Sequence, residues 1–272
     1  MKAVNMTIVS VDGSRKVDLE RLDPGDTGAL RDKKEARILF KIERDRIVRL
    51  QERLYAERSQ SLLVVFQATD TGGKDGTIRN VFKGVNPQGC RVWPFGVPSE
   101  EEAAHDALWR YHAHTPAEGM IGVFNRSHYE EVLVVRVKEL APKAVWKRRY
   151  DELNDFERLL ANNGTRILKF FLNISSDEQK ERLQERLDDP EKHWKFATGD
   201  LEDRALWDDY RKAFADAINR CATPQAPWFV VPANRKWYRN LVVARTIADA
   251  LAEMNPQYPP EEANLGNIVI PN

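Results

Sequence analysis

Three features are scarce or missing in this sequence, and each narrows what the protein can be. Its 272 residues include only two cysteines, Cys90 and Cys221, which lie far apart without the spacing of metal ligands. So few cysteines favour a protein of a reducing compartment over a secreted protein held together by disulfides. No run approaches the roughly 18 apolar residues of a membrane span, and the first residues lack a signal-peptide pattern. We therefore expect a cytoplasmic protein without a membrane partner.

An excess of charge of one sign is also missing. Lys plus Arg and Asp plus Glu number 42 each, so a bound polyanion would have to be held by local clusters of cations rather than by a global field. The seven tryptophans are scattered along the chain and do not form a platform for stacking bases. We do not expect nucleic-acid binding.

The length predicts one main α/β domain with no need of disulfides. We divide the chain into an N-terminal arm (1–32) that packs on another part of the protein, a single domain (33–255) and a Pro-rich C-terminal tail (256–272). The domain should open with a long amphipathic helix from Lys33 to Arg58, because its apolar residues recur at helical spacing amid dense charge.

Behind that helix, short apolar runs alternate with helical patterns, which is typical of a parallel sheet with crossover helices. The predicted strands are Ser61–Gln67, Arg91–Phe95, Met120–Phe124, Thr165–Asn173 and Trp228–Pro232. The predicted helices run from a Ser99 cap to about His112, from Val132 to Leu140, from about Lys143 to Gly164, from Ser176 onward, from Glu202 to Cys221 and from Lys236 to Met254.

The most informative segment joins the first strand to a helix through a glycine-rich turn. Gly72 and Gly73 permit backbone torsions that aim N–H groups at phosphate oxygens, and Lys74 can reach a terminal phosphate. This is the context of a phosphate-binding P-loop, although Ala68 replaces its first glycine and Asp75 replaces its magnesium-binding hydroxyl. Asp70 could hold magnesium or orient an acceptor phosphate instead. An ordinary Gly-Gly turn is the alternative.

A second polar loop follows the strand that ends at Phe124. Ligands of open parallel sheets bind at the carboxyl ends of the strands, so Arg126 should face the phosphate loop and stabilise charge on a transferred phosphoryl group. For Ser127 we favour a helix N-cap over a catalytic role. For His128 we favour packing over proton transfer, which phosphoryl transfer hardly needs.

Residues 176–200 form a candidate cationic lid. Arg182 and Arg186 are four residues apart and share one helical face, and Lys192 and Lys195 follow beyond the Asp188-Asp189-Pro190 break. The alternative is a solvated helix with ordinary surface ion pairs. Likewise, the cluster Lys147-Arg148-Arg149 could extend a basic channel for a long anion or be a solvated helix face.

Together these segments resemble the family-2 polyphosphate kinases. The resemblance covers about Asp32 to Met254 through Asp70-Thr-Gly-Gly-Lys-Asp-Gly, Asn86-Pro-Gln-Gly, Asn125-Arg-Ser-His-Tyr-Glu-Glu-Val, Asp189-Pro-Glu-Lys-His-Trp-Lys and Ala205-Leu-Trp-Asp-Asp-Tyr. It implies a three-layer α/β/α P-loop kinase fold related to thymidylate kinase, with a central parallel sheet and a helical lid. It also implies assembly into homodimers or homotetramers.

The activity that the resemblance implies is reversible, magnesium-dependent transfer of a terminal phosphoryl group from inorganic polyphosphate to AMP or ADP, or to GMP or GDP. Asp70, Lys74 and Arg126 inherit the catalytic roles, with Asp70 as the metal ligand, and Arg182, Arg186, Lys192 and Lys195 inherit the lid role. Many members have Asp where this chain has Asn125, a weaker magnesium ligand. Further phosphate or nucleotide contacts are predicted at Thr71, Gly72, Gly73, Asp75, Gly76, Thr77, Asn80, Lys83, Asn86 and Asn125.

Two other functions stay open from the residues alone. An ATP-dependent small-molecule kinase could use the same loop with ATP as its donor. A nucleotide or polyphosphate sensor without turnover is the non-enzymatic alternative, in which Asp75 and Asn125 would mark lost magnesium chemistry. The choice of donor separates the two kinases, and turnover separates both from a sensor.

Overall fold

A computed structural model describes residues 6–263 together with Ile268, Ile270 and Pro271. Residues 1–5 of the predicted arm lie outside this range. So do residues 264–267, 269 and 272 of the predicted tail. The division into arm, domain and tail stays a prediction.

A six-stranded sheet forms the centre of the fold, in the order β1-β6-β5-β2-β4-β3. Neighbours among the last five strands of this order run parallel, whereas β1 pairs antiparallel with β6. The strands are β1 Val9–Val11, β2 Ser61–Gln67, β3 Cys90–Pro94, β4 Ile121–Asn125, β5 Thr165–Asn173 and β6 Trp228–Pro232. Five of the six were predicted to within one residue, and β1 was not.

Strand β2 is buried along its whole length because helices cover both faces of the sheet. Its side chains alternate between two cores: Leu62, Val64 and Phe66 join one core, whereas Leu63 and Val65 join the other. A continuous apolar run is therefore what this central strand requires, since neither face meets water.

Helices form the two outer layers. Those packed against the Leu62 face include α1 and α10, and those on the Leu63 face include α6 and α9. The helices are α1 Lys33–Glu57, α2 Lys74–Val81, α3 Glu100–Ala104, α4 Trp109–His112, α5 Val134–Val137, α6 Lys143–Asn162, α7 Ser176–Asp188, α8 Gly199–Ala205, α9 Trp207–Cys221 and α10 Lys236–Met254. The three-layer α/β/α architecture is confirmed. Within the described part of the chain, no helix has the length and apolar character needed to cross a membrane.

Three of the predicted helices are not continuous in the structure: two are divided and one is much shorter. Ser99 caps α3 as predicted, in a capping box with Glu102. The Asp106 carboxylate accepts from Leu108 N, and this local turn separates α3 from α4. The 132–140 segment keeps only the short α5, which follows a 3-10 turn at His128–Glu131 and stops before Glu139, whose φ is 51°. The 202–221 segment is broken at Leu206 into α8 and α9.

The predicted arm contributes to the sheet itself. Residues Val9–Val11 pair with β6, and Val11 and Leu19 are each only 2% exposed in the core. The predicted central parallel sheet therefore carries one antiparallel strand at its edge, which the sequence analysis did not include. An isolated three-residue strand carries almost no periodic signal, which is why the pattern of the arm did not reveal it.

Candidate functional site

The loop between β2 and α2 has the backbone of a phosphate cradle. Thr71 and Gly73 adopt positive φ angles of 60° and 96°, and Gly73 caps α2 without a side-chain hydrogen bond to its first N–H groups. A methyl group at Gly72 would collide with Ala68 Cβ, so this tight turn requires glycine. The free N–H groups at the start of α2 can bind an anion.

Lys74 lies at the first position of α2 and folds back over the loop. Its ammonium group donates to the Ala68 carbonyl oxygen at 3.2 Å. Burial and the neighbouring Arg126 guanidinium lower the pKa of Lys74. Asp70, Glu130 and Asp75 offset this only in part, so an approaching phosphate would add a further negative partner to this cation.

Arg126 is brought to the phosphate loop by strand pairing. Strand β4 lies next to β2 with Asn125 opposite Phe66, and Arg126 N donates to Phe66 O at 3.1 Å. The Arg126 backbone is held at a φ of 63°, an uncommon angle for a residue other than glycine. Its Nη2 reaches Asp70 Oδ1 at 3.1 Å. The predicted catalytic trio of Asp70, Lys74 and Arg126 therefore meets in one place.

Carboxylates surround the Arg126 guanidinium on its inner side. Burial alone would lower the pKa of Arg126, but Glu130, Asp70 and Asp203 outweigh it and raise that pKa. Burial in turn raises the pKa of Glu130. A cavity of about 30 Å³, large enough for a water molecule, lies among these groups. Arg126 is thus a fixed, permanently charged group whose side chain is still 40% exposed.

The loops open into a cleft of about 1030 Å³ at the carboxyl ends of the strands. Although the whole chain is neutral, the cleft is lined by nine basic side chains against the four acidic ones of Asp70, Asp75, Glu185 and Asp200. The basic residues are Lys74, Arg79, Arg126, Arg182, Arg186, Lys192, Lys195, Lys236 and Arg239. Such a surface fits a polyanion larger than a single phosphate.

The four predicted lid residues all line the cleft, but they differ in what they contact. Arg182 is only 6% exposed and clamps the phosphate loop: it donates to the carbonyl oxygens of Thr71 and Ala233 and to the Glu178 carboxylate. Arg186 donates to Lys195 O and to Asp200.

The ammonium groups of the other two lid cations, Lys192 and Lys195, contact side chains close to them in the sequence. The Lys192 ammonium group pairs with Asp189 at 2.8 Å, and that of Lys195 lies over the Trp194 ring at 4.9 Å from its centroid. The Trp194 side chain itself is 79% exposed beside the cleft.

Four predicted binding residues, Thr77, Asn80, Lys83 and Asn86, do not line the cleft. Thr77 Oγ1 donates to Gly73 O, and Asn80 Nδ2 donates to Gly76 O, both within α2. Lys83 is exposed at the far end of this helix, and Asn86 caps the 3-10 turn Pro87–Gly89. By contrast, Thr71, Gly72, Gly73, Asp75, Gly76 and Asn125 do line the cleft.

The residues of the second loop behave as the sequence suggested. Ser127 accepts from Tyr129 N as the cap of its turn. His128 is fully buried and its Nε2 bonds to Glu157 Oε1 at 3.0 Å, so it packs behind the site rather than facing the cleft. In the Lys147-Arg148-Arg149 cluster, Arg148 pairs with Glu152 and Arg149 with Glu131, and none of the three lines the cleft.

Three basic residues of the cleft and one carboxylate beside Arg126 escaped the sequence analysis. Arg79, Lys236 and Arg239 line the cleft, and Glu130 lies beside Arg126. Lys236 and Arg239 sit in the first turn of α10, directly behind β6, and a basic pair after the last strand of a parallel sheet could have been read as facing the same edge.

Asp70 fits a magnesium ion that is held mainly by substrate phosphates. Among residues 6–263, no group of three His, Cys, Asp or Glu side chains is arranged to hold a metal. Magnesium usually needs only one or two carboxylates besides phosphates and water, and Asp70 lies 18% exposed in the cleft. Asp75 is partly engaged, because its Oδ1 accepts from Asn125 Nδ2 at 2.6 Å.

A family profile and two curated relatives all relate this chain to polyphosphate-dependent phosphotransferases. The profile of the family described as Polyphosphate kinase 2 (PPK2) matches residues 30–259. A protein of Meiothermus ruber named AMP/ADP-polyphosphate phosphotransferase is 54% identical over 94% of this chain and 96% of its own length. The ADP-polyphosphate phosphotransferase of Rhodopseudomonas palustris is 44% identical over 81% of each chain.

A solved structure agrees with the fold. The crystal structure of Polyphosphate Kinase 2 from Arthrobacter aurescens TC1 superposes with a TM-score of 0.90 and 43% identity. The match covers 92% of this chain and 90% of that one.

Proposed function

The chain belongs to the polyphosphate kinase 2 family, and on that basis and the geometry of the cleft we propose that it transfers the terminal phosphoryl group of inorganic polyphosphate to AMP and ADP. One observation carries the proposal: Lys74, Asp70 and Arg126 meet at the edge of a cleft whose nine basic side chains suit a long polyanion. The relative that is 54% identical is named for both acceptors.

In the proposed reaction an oxygen of the acceptor's terminal phosphate attacks the terminal phosphorus of the polyphosphate chain. A new P–O bond forms to the acceptor, the bond to the penultimate phosphate breaks, and the leaving chain is one phosphate shorter. The amide groups at the start of α2 and Lys74 hold the phosphates, while Arg126 stabilises charge on the transferred group. Asp70 keeps Arg126 oriented and would hold magnesium, which supplies charge neutralisation on the phosphates when bound.

The experiment is a donor-by-acceptor screen with purified protein, polyphosphate, magnesium and AMP, ADP or GMP. We expect ADP and ATP to form from AMP only when polyphosphate is present and to stop when a chelator removes the metal. ATP as sole donor should not replace polyphosphate. Transfer from ATP without polyphosphate would favour an ATP-dependent kinase, and tight polyphosphate binding without turnover would favour a sensor.

Two variants test the assignment of the site. Lys74→Ala and Asp70→Asn should each lower kcat by roughly a hundredfold or more, since each removes charge stabilisation at the reacting phosphates. Their thermal melts should stay near that of the wild type. Lys180→Ala is the matched control, because Lys180 is an exposed residue of α7 that does not line the cleft. Wild-type turnover in Lys74→Ala or Asp70→Asn would remove that residue from the site.

Assembly into homodimers or homotetramers and a cytoplasmic location are further parts of the proposal. The α1 helix presents Ile38 and Ile42, 63% and 42% exposed, one turn apart on the same face. Apolar residues placed in this way are typical of a helix that packs against another subunit. Light scattering on the purified protein measures the mass, and a monomer at micromolar concentration would contradict this part.

A further inference from the structure

Arg239 is a buried cation pressed against the phosphate loop. It lies in the first turn of α10, is 3% exposed, and its Nη1 is 3.5 Å from Gly72 O. A methyl group at Gly73 would collide with this Nη1 atom. The guanidinium therefore contacts the same two glycines that shape the cradle, at the end of the loop away from Asp70.

The partners of Arg239 set it apart from the other buried cations. Four Lys or Arg residues are buried in the described part of the chain: Arg110, Lys169, Arg182 and Arg239. The first three each have a carboxylate within 4.0 Å. Arg239 instead donates to neutral oxygens, those of the Asn240 side chain and the Gly72 backbone.

The surroundings of Arg239 add to this imbalance. Arg182 is a charged neighbour of Arg239, and both guanidinium groups approach Gly73. Burial and the charge of Arg182 lower the pKa of Arg239, and Glu178 offsets this only in part. Burying a cation without an anion costs several kcal/mol, so the folded chain carries an unfavourable charge that an anion in the cleft would neutralise.

We propose that Arg239 binds a phosphate of the polyphosphate donor that is not transferred, on the Gly73 side of the phosphate loop. The inference rests on the proposed function and adds a second phosphate subsite to it. Arg126 binds the transferred group, whereas Arg239 binds a unit farther along the same chain. Lys236 and Arg186 line the same cleft and offer further positive charge to the donor chain.

This placement predicts an effect on the donor alone. In Arg239→Met the KM for polyphosphate should rise roughly tenfold to a hundredfold, as for loss of a charge-assisted hydrogen bond, while kcat and the KM for AMP stay within about twofold. Arg239→Lys should recover part of the affinity because it keeps the charge. Arg235→Met is the matched control: it removes an exposed arginine four residues earlier that does not line the cleft, and its KM should not change.

Calorimetric titration with inorganic tripolyphosphate, without nucleotide, separates this inference from the proposed function. Weaker binding in Arg239→Met supports the subsite even if the wild type shows no transfer. Transfer by the wild type, with an unchanged KM for polyphosphate and unchanged tripolyphosphate binding in Arg239→Met, would overturn the subsite and leave the function standing. A rise in the KM for AMP alone would also overturn it. If Arg239→Met does not fold, equal tripolyphosphate affinity of Arg239→Lys and the wild type would contradict the subsite.

Discussion

Lys169 and Arg239 are both buried cations, but they stand in opposite electrostatic situations. Lys169 on β5 is fully buried, and its ammonium group contacts the Glu157 carboxylate at 2.5 Å as well as Tyr129 Oη and Cys221 O. Arg239 is buried beside the phosphate loop with neutral partners and a second arginine. A buried cation with its own carboxylate serves the fold, whereas one without it is available to a ligand.

The buried network of Lys169, Glu157 and His128 also supports the second loop, which carries Arg126. Burial favours the neutral form of Glu157, but Lys169 and His128 outweigh it and hold the pKa of the Glu157 carboxyl below its ordinary value. His128 and Tyr129, both bonded to Glu157, follow Arg126 closely in the chain. The network therefore anchors the loop that presents Arg126 to the cleft.

Removing the paired cation should have the largest effect. Lys169→Met leaves the Glu157 carboxylate buried without its main partner, so the free energy of unfolding should fall by roughly 3–5 kcal/mol. Chemical denaturation of the wild type and the variant measures this difference in free energy. Arg158→Met is the control, because the Arg158–Asp155 pair is exposed and such pairs contribute about 0–1 kcal/mol. A loss of less than about 1 kcal/mol in Lys169→Met would remove the distinction between the two cations.

A methyl group placed against Arg239 should have a smaller effect. Gly73→Ala puts a side chain at a φ of 96° and displaces the buried guanidinium, and we expect the free energy of unfolding to fall by about 1–3 kcal/mol. In Gly76→Ala the new methyl would only touch Arg239 Nη2 at 3.7 Å, and alanine favours a helix. Denaturation of the two variants should rank Gly76→Ala as the more stable. The reverse order would show that Arg239 does not pack on the loop.

The pH dependence of stability tests the network around Lys169. Burial, opposed by Glu157, lowers the pKa of His128 below its ordinary value of 6.5. The unfolded chain therefore takes up this proton first as pH falls, so stability is full above about pH 6.5 and declines below it, by at most about 1.4 kcal/mol per pH unit. Denaturation curves at pH 7.5, 6.5 and 5.5 measure the slope.

The control for this slope removes the titrating histidine itself. His128→Gln should flatten the decline. An unchanged slope in His128→Gln would place the titration elsewhere.

The smallest expected effect is on the unpaired cation. Because Arg239 has no carboxylate to leave behind, Arg239→Met should keep the free energy of unfolding within about 1 kcal/mol of the wild type or raise it. Thermal melts without ligand measure this. A fall of several kcal/mol in the free energy of unfolding, as expected for Lys169→Met, would show that Arg239 is a structural residue like Lys169.

Local patterns in the sequence predicted the parts of the site that lie at strand tips. The run into Gly72-Gly73-Lys74 and the loop at Arg126 each follow a buried strand, and the rule that ligands bind at carboxyl ends brought them together before any coordinates. The same rule also places Arg239, just behind β6, at this edge. It could not show that Arg239 is buried without a carboxylate or that Glu130 lies beside Arg126, because both depend on which charges meet after folding. The antiparallel strand β1 could not be predicted either, because three residues are too few to show the alternation of apolar and polar side chains that marks a strand.

In the proposed complex, one donor chain lies along the phosphate loop between Arg126 and Arg239. A crystal structure of the protein with inorganic tripolyphosphate tests it most directly. We predict one end phosphate at the start of α2 within hydrogen-bond distance of Lys74 and Arg126, and another phosphate of the same molecule on the Arg239 guanidinium. A tripolyphosphate bound in the cleft with Arg239 still confined to Gly72 and Asn240, or bound outside the cleft, would contradict the claim.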